Sequence, residues 1–142
     1  MLFWLRNVYL DHNATTPVAP EVARVMRRAA REAPGNPSSL HTPGRTAGGA
    51  VEKARGSVAT ALGCRPEQVL FTSGGTEANN AVIKGVFARH GNAKGSIVTT
   101  RIEHDSILGA CRQVEAIGGK VTYLPAGPDG LVSVQDVEAA LR

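Results

Sequence analysis

The residues best suited to chemistry begin at Ser73-Gly74-Gly75-Thr76. An apolar run at 69–71 precedes them, and Ala78, Val82 and Val86 follow at helical spacing. That order predicts a strand, a glycine turn and the start of a helix. The first amides of a helix have no partner inside it, and the helix dipole favours negative charge at that end. A phosphate fits there, with the Thr76 hydroxyl as an added donor. The same junction also serves as a simple tight turn. Two nucleotide signatures are absent: no Gly-Lys-Ser/Thr follows Gly75, and no Gly-x-Gly-x-x-Gly spans this stretch. His104, in the polar run 101–106, is the second candidate. Its imidazole could stack on a flat ring or move a proton near neutral pH.

Other reactive types are poorly placed. Cys64 and Cys111 have neither Cys-x-x-Cys spacing nor a nearby histidine pair, so neither zinc nor a disulfide framework is indicated. Cys111 shares a helical face with Ile107, Leu108 and Val114, which predicts a core position. Arg24, Arg27, Arg28 and Arg31 share another face. No aromatic platform or nucleic-acid motif accompanies them, and they read as a solvated surface.

The elements that must position these residues follow from periodicity and breakers. Residues 8–10 read as a short extended segment and 11–17 as a polar loop. A helix over 20–32 starts at Pro20 and Glu21, with Val22, Val25, Met26 and Ala29 on its apolar side. The loop from Pro34 to Gly44 leads to a helix over 45–62, weakened by Gly48 and Gly49 and stopped by Gly63. The helix after Gly75 ends near Gly91. Strands are expected at 69–71, 96–100 and 121–124, with a helix over 105–117 that stops at Gly118-Gly119. A capped helix opens at Ser133. Strands alternating with helices predict an α/β fold with a mostly parallel sheet. In such sheets ligands collect at the carboxyl ends of strands, where the loops after Phe71 and Thr100 both lie. Thr76 and His104 are therefore expected to converge.

At 142 residues the chain is long enough for one real core, and its 42% hydrophobic content suits a soluble protein. The apolar start, residues 1–5, is too short for a membrane span or a signal-peptide core. A cytoplasmic location is the expectation.

Four segments in order carry a resemblance. They are Tyr9-Leu10-Asp11-His12-Asn13-Ala14-Thr15-Thr16-Pro17, then Gly35-Asn36-Pro37-Ser38-Ser39 with His41. Phe71-Thr72-Ser73-Gly74-Gly75-Thr76-Glu77-Ala78-Asn79-Asn80 and Glu103-His104 complete the set. Together they closely resemble the N-terminal part of cysteine desulfurases of the NifS/IscS type, in the class V aminotransferase group. The resemblance implies a pyridoxal 5'-phosphate enzyme with the fold type I large domain, a mostly parallel sheet with flanking helices. The reaction it implies converts L-cysteine to L-alanine and leaves a persulfide on an enzyme cysteine, with the sulfur passing to iron–sulfur cluster assembly or tRNA thiolation. It also implies a homodimer, a sulfur acceptor such as an iron–sulfur scaffold protein, and no membrane or direct nucleic-acid partner. By the same resemblance, Gly75 and Thr76 match positions that hold the cofactor phosphate. His104 matches the histidine stacked on the pyridine ring and is the candidate catalytic residue. Asn13 and Asn36 fall in loops near the family's site without an assigned role.

The departures concern what the family carries further along. Its Schiff-base lysine follows a Ser-x-His pattern that none of Lys53, Lys84, Lys94 and Lys120 has. The aspartate facing the pyridine nitrogen and the sulfur-accepting cysteine also have no counterpart in this chain. The chain is thus expected to be an N-terminal portion, truncated at the C-terminus and inactive by itself. Its expected division is an N-terminal segment (1–17), N-terminal helices (18–63) and an incomplete cofactor-binding domain (64–142). Two alternatives stand beside this reading: a selenocysteine lyase or other class V enzyme, and a short non-catalytic protein that binds the cofactor or docks on a partner.

Overall fold

A computed structural model describes residues 8–90 and 96–142. Residues 1–5, Gly91 as a helix terminator and Lys94 lie outside the described residues. The chain forms two compact units, Met1–Leu70 and Phe71–Arg142.

In the first unit, helix α1 (Pro20–Glu32) has the bounds the sequence predicts. Pro20 supplies a preset φ in the first turn, and Glu21 there pairs with Arg24 at 3.0 Å. Its apolar residues are not covered: Val22, Val25 and Met26 are all more than half exposed. Helix α2 (Thr42–Leu62) begins three residues before the predicted start. The reason is His41, whose Nδ1 accepts from the Gly44 amide at 3.3 Å and caps the helix ahead of Pro43. Gly63, at φ 66°, ends it in the left-handed conformation that favours glycine. Close approach explains two other glycines. A Cβ on Gly44 would lie 2.3 Å from the Ser39 carbonyl oxygen, and one on Gly35 would lie 2.2 Å from that of Pro43. The loop before α2 therefore folds tightly over the helix start.

The strand expected at 69–71 does not form. Val69 is extended (φ −98°, ψ 120°) after a single 3-10 turn, Pro66–Gln68. Its carbonyl accepts from the Arg55 guanidinium of α2, and among the described residues no strand pairs beside it. An extended segment becomes a strand only where a neighbour completes the ladder. The segment at 8–10 likewise joins no ladder.

The second unit carries the α/β signature. Helix α3 (Gly75–Arg89), strand β1 (Ser96–Thr100), helix α4 (Asp105–Ala116), strand β2 (Lys120–Leu124) and helix α5 (Val134–Ala140) follow in order. The strands pair in parallel, from Ser96 opposite Lys120 to Thr100 opposite Leu124. Helices α3 and α4 pack together, and Phe87, Ala110, Cys111, Val114 and Leu124 form the buried core of this unit. Cys111 takes the predicted core position, and burial, ahead of Glu115 and Glu103, pushes its thiol pKa up. Gly119 lets the chain turn against that core, since a Cβ there would lie 2.3 Å from Val114 and 2.7 Å from the Phe87 ring. Ser133 caps α5 as expected, accepting from the Asp136 amide at 3.0 Å.

Candidate active site

The start of α3 shows how the Ser-Gly-Gly-Thr sequence becomes a bare set of donors. Gly74 stands at the N-cap, so no side chain caps the helix. The first ladder bond of the helix runs from the Ala78 amide to the Gly74 carbonyl at 3.1 Å. The amides of Gly75 and Thr76 thus precede the intrahelical ladder. Among the described residues a Cβ built on Gly74 or Gly75 meets nothing within 4 Å, so no side chain crowds this turn. The Thr76 hydroxyl has no hydrogen-bond partner among the described residues, whereas its carbonyl accepts from Asn80 Nδ2 at 2.9 Å.

Glu77, the one acid in this turn, is held aside. One carboxylate oxygen accepts from both the amide and the hydroxyl of Ser73, each at 2.7 Å. The Ser73 hydroxyl and then its amide lower the Glu77 pKa below the ordinary 4.5. The carboxylate thereby closes the turn between Ser73 and α3, and Thr72 braces it from the other side by donating to the Gly74 carbonyl at 3.1 Å. An anion fits this site: free amides, a free hydroxyl and room to approach them.

His104 stands at the carboxyl end of β1 as the N-cap of α4. Its ring is exposed, and Nδ1 accepts from the Ser106 amide at 3.1 Å. The Ser106 hydroxyl lies 2.8 Å from the same nitrogen. That hydroxyl in turn accepts from Asn79 Nδ2 of α3 at 2.9 Å. Asn79 is three residues after Thr76 and Ser106 two after His104, so this bridge ties the two helix starts that carry the candidate residues. Glu103 steadies the same loop, accepting from the Thr100 hydroxyl at 3.0 Å. Asn79 and Ser106 escape a reading by motif. Histidine is an uncommon N-cap, and a serine two residues later signals nothing until α3 is seen beside it.

The remaining candidates belong to the other unit. Asn36 builds its own turn, its Oδ1 accepting from the Ser38 amide at 3.0 Å. Asn13 lies in the turn closed by Ala14 and Asp11. The apolar groove of about 300 Å³ between Val82, Val86, Phe87 and Ile97 is not the site. It lies along the later turns of α3 and the first residues of β1, opposite the strand end that leads to His104. Among the described residues no cluster of His, Cys, Asp and Glu could hold a metal ion.

The sequence profile of the family "Aminotransferase class-V" matches residues 8–142. Cysteine desulfurase IscS of Dictyoglomus turgidum is 43% identical over 137 residues, which cover 96% of this chain and 35% of that protein. Cysteine desulfurase 2 of Trichormus variabilis is 47% identical, over 94% of this chain and 33% of its own length. The chain therefore spans about a third of the length of these relatives. Among solved structures, a NifS-like protein superposes with a TM-score of 0.85 at 39% identity, covering 93% of this chain and 36% of that one. One described as SspA in complex with cysteine gives 0.84 at 39%, covering 96% and 39%. These likenesses run through both helix starts of the site, and the chain belongs to the class-V aminotransferases, a family of pyridoxal phosphate enzymes.

Proposed function

We propose that this chain forms the phosphate-binding and ring-stacking part of a cysteine desulfurase, acting on L-cysteine. The observation that carries the reading is the uncapped start of α3, with its open approach and its link through Asn79 and Ser106 to His104. The Gly75 and Thr76 amides and the Thr76 hydroxyl would hold the phosphate, where the dipole of a 15-residue helix adds to the attraction. The exposed His104 ring would stack on the pyridine, with Nε2 as its free nitrogen. When bound, pyridoxal phosphate supplies an electron sink for reactions at an amino acid's α-carbon. The SspA structure with cysteine supports the substrate assignment. A homodimer, transfer of sulfur to an acceptor such as an iron–sulfur scaffold protein, and a cytoplasmic site complete the reading, by likeness to the family. No helix among the described residues is long and apolar enough to cross a membrane.

None of this chain's lysines has the sequence context of the family's cofactor-bearing lysine. The expected outcome is thus binding without turnover. Equilibrium dialysis with pyridoxamine 5'-phosphate, which lacks the aldehyde that decorates surface lysines, should detect binding that inorganic phosphate competes away. A sulfide assay with L-cysteine should detect none released by the 142-residue chain. Absence of competition by phosphate would sink the site assignment, and sulfide release would sink the inactivity.

A further inference from the structure

We propose that Asn79 and Ser106 are positioning residues that place the proton of neutral His104 on Nε2. The functional weight of this inference rests on the reading of His104 given above, but its geometry does not. Asn79 reaches Ser106 through its amide nitrogen, which can only donate, at 2.9 Å. The Ser106 oxygen is therefore the acceptor of that bond, and its single hydrogen is left for His104 Nδ1 at 2.8 Å. The Ser106 amide donates to the same nitrogen at 3.1 Å. An imidazole nitrogen that receives two donors in its one lone pair carries no proton, so in the neutral ring the proton sits on the other nitrogen.

The arrangement is built into the fold and is not a surface accident. Ser106 is buried, with 9% exposure, and Asn79 is half-buried between α3 and α4, whereas the His104 ring is exposed. The relay thus runs from the helix interface outward and ends at a nitrogen, Nε2, with no partner among the described residues. The exposed side of the ring presents a donor. Acceptance of a proton there first requires that nitrogen to release its own.

Carbethoxylation by diethyl pyrocarbonate tests this, because the reagent attacks only an unprotonated imidazole nitrogen. The full chain is labelled at mildly alkaline pH, and peptide mass spectrometry follows His104, with His12 as the internal reference. His104 should react several-fold more slowly than His12, since its bare nitrogen is engaged. Ser106→Ala should speed the reaction several-fold and Ser106→Thr should restore the slow rate. Asn79 gives the sharper contrast. In Asn79→Asp a carboxylate accepts the Ser106 hydroxyl and draws it off Nδ1 while the helix-to-helix tie persists, so His104 should react faster. In Asn79→Ala the tie is lost and nothing obliges the hydroxyl to point at Nδ1, so His104 should react faster than in the unaltered chain but more slowly than in Asn79→Asp. A purely structural role for Asn79 predicts the reverse order. Equal His104 rates in all variants, or Asn79→Ala faster than Asn79→Asp, overturn the proposal. Dialysis with pyridoxamine 5'-phosphate separates the two readings. If His104→Ala binds as tightly as the unaltered chain, the stacking role falls, while the proton placement is still decided by the labelling order.

Discussion

At the scale of single residues, the site is defined by what its polar groups are not doing. The Thr76 hydroxyl has no partner among the described residues, and no side chain caps the amides of Gly75 and Thr76. A hydrogen bond to a charged group contributes about 1.5–3 kcal/mol, so Thr76→Val should weaken pyridoxamine 5'-phosphate binding by roughly tenfold or more in dialysis. Far-UV circular dichroism should stay unchanged, because the hydroxyl holds no part of the fold. Glu77 is the opposite case, since both Ser73 donors serve its carboxylate. Its pKa is lower in the folded chain than the ordinary 4.5, so the folded state gains from the ionised form. That gain is present above the ordinary value and is lost as pH falls through the depressed one. The protection factor of the Ser73 amide, its exchange rate taken relative to the intrinsic rate at each pH, should fall on acidification below 4.5. In Glu77→Gln that protection should already be lower at neutral pH and should lose its acid-side dependence.

Elements show where local chemistry outweighs propensity. Helix α2 contains glycines at 44, 48, 49 and 56, which by propensity alone makes it a weak helix. They are not equivalent. Gly49 meets nothing where a Cβ would sit, so Gly49→Ala should raise stability by up to about 1 kcal/mol in urea unfolding. Gly44→Ala would drive a methyl to 2.3 Å from the Ser39 oxygen and 2.6 Å from its Cβ. It should cost about 1–3 kcal/mol or more, as overpacking does. If both substitutions move the transition the same way, the close approach of the Ser39 loop is not what Gly44 serves. The same elements show what a sequence reveals. Helix α1 and strand β1 were legible to the residue, α1 because Pro20 acts through its nearest neighbours, and β1 because its apolar, β-branched run finds a partner in β2. The early start of α2 was not, because it depends on a histidine reaching the Gly44 amide. The missing strand at 69–71 failed for a nonlocal reason: its apolar residues suit a sheet, but the ladder needs a partner that the described residues do not provide. In the site, the glycine turn and His104 could be singled out by type and spacing. The bridge between them could not, since Asn79 and Ser106 are 27 residues apart in the chain.

For the whole molecule the telling quantity is apolar surface. Val22, Val25 and Met26 on α1, Val82 and Val86 on α3, and Leu131 and Val134 near α5 are each more than half exposed. Exposed apolar side chains grouped on one helix face, as Val22, Val25 and Met26 are on α1, favour association in water. Sedimentation velocity on the isolated chain should therefore show concentration-dependent self-association, and a hydrophobic dye should bind it with enhanced fluorescence. A sharp monomer without dye binding would mean that these residues are tolerated in water. The contacts that make the site have a further consequence, in time and not in space. Strands β1 and β2 join residues such as Ser96 and Lys120, and the Asn79–Ser106 bridge closes a loop of similar length. Closing a loop of this size costs entropy before the contact repays it, and parallel pairing is slow for that reason. The turn at Gly74 and Gly75 needs only near neighbours, whereas the bridge to His104 waits until α3 and α4 meet. A ligand that holds both helix starts at once would, by mass action, favour the folded state that joins them.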